Sequence, residues 1–167
     1  MTQAIKDFFL RLVGPHLAVL ICSMIPIIEL RGSIPLGTLL NMPFWLNYIL
    51  SVAGNMLPIP IILLFVKAVL NWMSKCKIKF FNKVAGWIFK KADKNRPKIE
   101  KFGFWGLFLF VAIPLPGTGA WTGSLVAALI DMKFGKAILS VALGVLTAGV
   151  IMTLVSYGVL GFLSFLI

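Results

Sequence analysis

Acidic residues are scarce in this sequence: five Asp and Glu among 167 residues, against 16 Lys and Arg. Histidine occurs once, at His16, and cysteine twice, at Cys22 and Cys76. A single histidine argues against a zinc-type enzyme, whose metal needs several ligands. Cys22 lies in apolar sequence and Cys76 in the basic block, and nothing indicates a disulfide framework or a metal site. They read as small buried or interfacial hydrophobes. No nucleophile–base set is visible either, so the sequence points to no enzyme, metal or cofactor. Charge as a whole is thin. At 13% charged residues the chain cannot cover a soluble surface, and at 60% hydrophobic residues it cannot be disordered. With mean hydropathy of +1.00 it belongs in a bilayer.

The charge that is present is concentrated. Residues 67–101 hold 11 of the 16 Lys and Arg, against Asp93 and Glu100 alone. Leu12–Ile28, Gly32–Val66, Phe102–Ile130 and Ala137–Ile167 carry none. A basic block flanked by membrane-length apolar runs is explained by the positive-inside rule rather than by nucleic-acid binding. It is expected to face anionic lipid on the cytoplasmic side. Within it Phe80/Phe81, Val84/Ala85 and Trp87/Ile88 recur at helical spacing between lysines, the pattern of an amphipathic surface helix. Met1–Gly14 reads as a second one. No A-x-A-like site follows it, so the segment is read as mature chain.

Run lengths predict broken helices. A span needs about 20 apolar residues. Leu12–Ile28 has 17, Gly32–Val66 has 35, and Phe102–Ile130 has 29, interrupted by Pro114, Pro116, Gly117 and Gly119. Pro26, Gly32, Pro35 and Gly37 predict a first hairpin, with arms near Leu17–Ile28 and Ser33–Trp45. The run from Ile113 to Gly123 predicts a second. Ile25-Pro26 recurs as Ile113-Pro114, Asn41-Met42 with Phe44 as Asp131-Met132 with Phe134, and Ile49–Ala53 as Ile138–Ala142, at offsets of 88 to 90. The expected fold is therefore an all-α polytopic membrane protein, an inverted repeat of re-entrant helical hairpin plus transmembrane helix. It forms one integral-membrane domain over 1–167: a surface helix at 1–14, repeat 1 at 15–70 with its span near Trp45–Leu70, a basic linker helix at 71–101, and repeat 2 at 102–167 with its span near Lys136–Phe162. Inverted repeats place a transport site near the midplane, where the two hairpin tips would meet around a substrate.

Glu29 and Arg31 are the only charges inside the apolar regions proper. Each costs about 2.5–3.5 kcal/mol at mid-bilayer on insertion scales, which marks function or a required pair. Glu29 is expected to take and release a proton, with Arg31 holding an anionic headgroup or acting as counter-ion. Residues i and i+2 diverge on a helix, so a direct pair needs unwound backbone beside Pro26 and Gly32. In the second break Gly117 and Gly119 align with Glu29 and Arg31, and Pro114, Pro116, Thr118, Trp121 and Thr122 surround them. A half-helix starting near 118–122 could point its dipole at an anion, or the glycines could simply pack the arms. Asn55, before Pro58 and Pro60, reads as a bond to carbonyls that proline frees, or as a cavity lining. Asp131, near Lys133 and Lys136, reads as an interfacial loop or helix N-cap. Gly144, Gly149, Gly158 and Gly161 read as packing positions.

The stretches Glu29-Leu-Arg-Gly-Ser-Ile-Pro-Leu-Gly37 and Pro114-Leu-Pro-Gly-Thr-Gly-Ala-Trp-Thr-Gly123 resemble the small multi-drug export protein family, distantly similar to DedA-like membrane proteins. The resemblance covers nearly the whole chain. It implies drug efflux by name. Through the DedA-like proteins it implies inverted re-entrant hairpins, proton coupling and, in some members, return of a polyprenyl-phosphate carrier. Their first-hairpin acid corresponds to Glu29, while the arginine typical of their second hairpin is replaced here by Thr118 and Trp121. The resemblance thus implies a proton-coupled transporter of an amphiphilic or lipid-linked substrate in the bacterial cytoplasmic membrane. A proton-coupled exporter of small cationic drugs and a non-transporting membrane-organising protein are the alternatives. The expected partners are membrane lipids, the substrate and protons, and a homodimer is compatible with so small a unit.

Overall fold

The computed structural model describes residues 14–75, 83, 86, 90, 96–97, 99–115 and 117–166. The N-terminal surface helix and most of the basic linker helix read from the sequence, together with Pro116, lie outside these residues. The described residues form seven main helices and no strands. They are α1 (Gly14–Met24), α2 (Glu29–Leu39), α3 (Phe44–Met56), α4 (Ile59–Lys75), α5 (Gly103–Ala112), α6 (Ala120–Leu129) and α7 (Phe134–Leu166).

The helices sort into two compact units. One contains α1, α2, α3 and the part of α7 from Val145 onward. The other contains α4, α5, α6 and the part of α7 up to Gly144. In the first, α1, α2 and α3 all pack against one another. In the second, α6 packs on α4 and α5.

Proline and glycine set the breaks, though not all of those in the sequence act. Pro26 sits in the four-residue break between α1 and α2, where Ile25 N–H bonds Cys22 O at 3.2 Å and Ile28 N–H bonds Ile25 O at 3.1 Å. Gly32, Pro35 and Gly37, expected to interrupt the first hairpin, instead lie inside α2. The second arm therefore runs 29–39 rather than Ser33–Trp45. Proline lacks the N–H that would bond four residues back, but a neighbouring helix and hydroxyl side chains can hold a helix through it. Pro35 withdraws a donor from the carbonyl of Arg31, and on the turn that carries it Thr38 Oγ1 donates to Ile34 O at 2.8 Å while Asn47 Nδ2 donates to the same carbonyl at 2.7 Å, tying α2 to α3. In the second hairpin the break ends at Gly119, so Trp121 and Thr122 stand on α6.

The two second arms close identically. After α2, Asn41 takes φ +55° and Met42 N–H bonds Gly37 O at 3.0 Å. After α6, Asp131 takes φ +56° and Met132 N–H bonds Ala127 O at 3.0 Å. This six-to-one bond past a left-handed residue is a Schellman closure. The sequence match of Asn41-Met42 to Asp131-Met132 is thus a match of local structure. Asp131 closes one helix and does not N-cap the next.

The polarity of the first unit is inside out. The buried residues of α3 are Asn47, Ser51, Gly54 and Asn55, while Phe44, Trp45 and Ile49 of the same helix are more than half exposed. On α1, Ala18, Val19 and Ser23 are buried and Leu17 and Ile21 are exposed. Water would penalise such a surface; hydrocarbon favours it, with small and polar residues between the helices. Two stretches, Phe44–Lys75 and Phe134–Gly158, are long and apolar enough to cross a membrane. Among the glycines of the last helix, Gly144 packs on Val111 and Gly149 on Tyr48, while Gly158 has no atom within 4 Å of an added Cβ. The described residues are helices and the turns between them, and the chain is a membrane protein.

Candidate functional site

The first unit carries the charged part of the predicted site. Glu29 opens α2, is 5% exposed, and takes φ +50°, a left-handed conformation that a residue with a Cβ enters at a cost. Its N–H bonds Ile25 O at 2.9 Å across the break. The left-handed backbone removes Glu29 from regular helix geometry, in which residues i and i+2 diverge. Its carboxylate acts electrostatically on Arg31, and Arg31 is half-buried. An acid at a helix N-terminus also meets the positive end of the helix dipole. Gly32 lies one turn from Ile28, into whose Cγ2 an added Cβ would run. Pro35 lies one turn further along α2.

A polar relay that the sequence reading missed runs beside this turn. Ser33 Oγ donates to Ser51 Oγ at 2.8 Å, and Ser51 Oγ approaches Asn47 Oδ1 at 3.4 Å. Asn47 Nδ2 donates to Ile34 O and, at 3.1 Å, to Tyr157 Oη. Tyr157 Oη in turn donates to Met42 O at 2.7 Å. Gly37 leaves room for the Asn47 amide, whose Nδ2 would lie 2.6 Å from an added Cβ. Asn47, Ser51 and Asn55 repeat at intervals of four within an apolar stretch, a signal legible in the sequence as one polar helix face. Tyr157, 110 residues from Asn47, leaves no such local trace. Tyr157→Phe is expected to lower stability by about 1–2 kcal/mol, since it unpairs Met42 O and removes an acceptor from Asn47. Thermal unfolding of the purified protein in detergent measures the loss.

Asn55 sits at the far end of that face. It is fully buried, and both Oδ1 and Nδ2 have no hydrogen-bond partner among the described residues. The expected bond to proline-freed carbonyls is not made. Pro58 and Pro60 do withdraw donors from the carbonyls of Gly54 and Met56, but the amide does not reach them.

The second unit holds the uncharged part. Gly117 takes φ +83° and Gly119 φ +138°. Thr118 closes the break, with its hydroxyl 3.0 Å from Ile113 O and 2.8 Å from Leu115 O. Pro114 lies in the break, and Trp121 and Thr122 are half-buried on the first turn of α6. Aligned by the matching closures, Gly119 and Trp121 stand where Glu29 and Arg31 stand in the first hairpin, a register two residues from that of Gly117 and Gly119. Gly119 and Glu29 share a positive φ at the start of the second arm. An apolar groove of about 250 Å³ runs from Phe102 past Leu109 and Phe110 to Leu115 and Thr118. Asp131 pairs with Lys67 of α4 at 2.5 Å, not with Lys133 or Lys136. That pair is largely exposed.

The first unit also has an apolar groove, of about 460 Å³, between Phe44, Trp45 and Tyr48 of α3 and Val150 and Leu154 of α7. Neither groove is lined by Glu29 or Arg31. Among the described residues no group of three or more His, Cys, Asp or Glu could hold a metal ion.

The model of a family described as "Putative small multi-drug export protein" matches residues 29–151, a stretch that begins at Glu29, just after the first break, and spans the second. No curated protein and no solved structure matches the chain.

Proposed function

The chain belongs to the small multi-drug export protein family, and on that premise we propose that it is a proton-coupled membrane transporter of an amphiphilic substrate. Glu29 is the proton-linked carboxylate. Arg31 holds the anionic headgroup of a lipid-linked, polyprenyl-phosphate-like substrate. The observation that carries the reading is Glu29 itself, which combines burial, ionisable chemistry and a left-handed backbone at one residue. Backbone strain of this kind persists where the surroundings enforce it and gathers at working sites. An acid inside an apolar helical hairpin is expensive and marks a proton or substrate path. The second hairpin has no ionisable side chain between Phe102 and Ile130, so the proton is assigned to the first.

An inverted repeat of re-entrant hairpins suits this mechanism. Arms of 10 or 11 residues reach about 15–17 Å, half a hydrocarbon core. Each hairpin is followed by one of the two membrane-length stretches. The shared Schellman closures and the shared positive φ at the start of the second arms favour the repeat. On this reading the basic stretch 71–101 faces the cytoplasm of a bacterium, and the whole chain is one multi-pass domain of its inner membrane.

Purified protein in liposomes under an imposed pH gradient tests the reading. With a polyprenyl phosphate as substrate, Glu29→Gln and Arg31→Ala are each expected to reduce transport to background. Cationic dye efflux that survives Arg31→Ala and stops with Glu29→Gln would overturn the phosphate assignment in favour of a drug exporter. Wild-type complementation in cells by the double alanine variant, lost on neutralising Lys75–Lys91, would overturn transport altogether.

A further inference from the structure

Helices α2 and α3 run antiparallel, and their contacts fix a register. Gly37 meets Asn47, and one turn back along α2 and one turn on along α3 Ser33 bonds Ser51. Extended one turn further in each direction, that register brings the start of α2 at Glu29 to the level of Asn55. Glu29 is 5% exposed, Asn55 is fully buried, and both polar atoms of the Asn55 amide are without a hydrogen-bond partner among the described residues. A buried carboxamide with both ends open is costly to keep. Its complement is a group that offers one donor and one acceptor side by side, and a carboxylic acid is such a group. A carboxylate offers acceptors only, and would satisfy Nδ2 while leaving Oδ1 open.

We propose that Asn55 is the partner of the protonated Glu29 carboxyl, so that Glu29 exchanges the field of Arg31 when ionised for a two-bond pair with Asn55 when neutral. The proposal rests on Glu29 as the proton-linked group. The step is one protonation: a proton from the aqueous phase adds to a carboxylate oxygen, and no other covalent bond forms or breaks. The resulting O–H donates to Asn55 Oδ1, and the carbonyl oxygen accepts from Nδ2. Asn55 is a positioning residue, acting through the carboxyl. The other ionisable groups of this unit, among the described residues, are Arg31 on α2, exposed His16 and half-buried Cys22 on α1, Tyr48 on α3 and Tyr157 on α7. The two tyrosine hydroxyls are committed to Leu146 O and Met42 O.

Infrared difference spectra of the full-length protein in lipid, titrated with pH, test the pairing without any transported substrate. The expected result is a protonated-carboxyl band that Glu29→Gln abolishes. Asn55→Leu lowers its titration midpoint by about one pH unit, because two hydrogen bonds between membrane helices are together worth about a tenfold preference for the neutral acid. Asn55→Asp raises it, because two carboxyls at one site resist joint ionisation. His16→Ala leaves it in place. Because Asn55→Leu removes open polar groups, its melting temperature holds or rises. An unmoved midpoint in Asn55→Leu overturns the pairing, as does the lack of any Glu29-dependent band. If the midpoints shift as stated while the wild-type protein transports nothing in liposomes, the pairing stands and the transport reading falls.

Discussion

Glu29→Gly is expected to unfold at a higher temperature than Glu29→Ala, and both are expected to transport at background. The two substitutions delete the same carboxylate and leave Arg31 in the same predicament, so those costs cancel between them. What differs is the backbone. At φ +50° an alanine carries the Cβ clash that a left-handed residue suffers, whereas glycine enters the region freely. The difference is about 1 kcal/mol in favour of glycine, or about 2–4 °C for a chain of this length. Elsewhere in a helix the order is the reverse, since glycine is the poorer helix former by about 1 kcal/mol. Paired melting curves in one detergent decide the matter. An alanine variant as stable as the glycine variant would mean that the left-handed turn belongs to the charge and relaxes without it. The transport half of the expectation follows from chemistry, because neither variant can carry a proton at this position. Strain and a buried carboxyl at one residue set this turn apart from the packing around it.

The chain's broad plan was legible because its signals are local. Pro26 and Pro114 stand in the two breaks, and the recurrence of Asn41-Met42 as Asp131-Met132 marks two identical helix closures. Where the reading failed, a distant contact outweighed a local preference. Pro35 is a helix breaker by local preference, but α2 runs through it where Asn47 of α3 bonds the Ile34 carbonyl. Asp131 reads locally as an interfacial loop or helix N-cap, yet its backbone closes α6 and its carboxylate pairs with Lys67, 64 residues away. The Glu29–Arg31 turn was identified from charge in an apolar run. The level of Asn55 depends on the Ser33–Ser51 contact between two helices, which leaves no local trace in the sequence. Hydropathy registers a rare charge, but it cannot say which uncharged polar groups face one another.

Two glycines show how tightly the first arm of each hairpin is held, and their substitution is expected to have the largest effect on stability. A Cβ at Gly54 would fall within van der Waals contact of Ser23 Oγ and the Leu20 carbonyl oxygen, and would stand 3.2 Å from the carbonyl carbon. A Cβ at Gly144 would stand 2.7 Å from Val111 Cβ and 3.0 Å from Phe108 O. Leu20 and Phe108 are 88 residues apart, the offset that relates Pro26 to Pro114. In both units, therefore, the first arm meets a glycine of a later helix at a matching carbonyl. Ser23 can rotate away, but a helix carbonyl and a Cβ move only with their backbones, so the helices must separate. Gly54→Ala and Gly144→Ala are expected to cost about 1–3 kcal/mol each, and Gly54→Val more, enough to leave little folded protein in detergent. Gly135→Ala supplies the contrast: it is a helical glycine with no atom within 4 Å of the added carbon, and alanine there is expected to gain up to about 1 kcal/mol. Opposite signs in a set of otherwise identical substitutions separate close packing from helix propensity. A stabilised Gly54→Ala would mean that α1 and α3 lie further apart than the carbonyl contact requires.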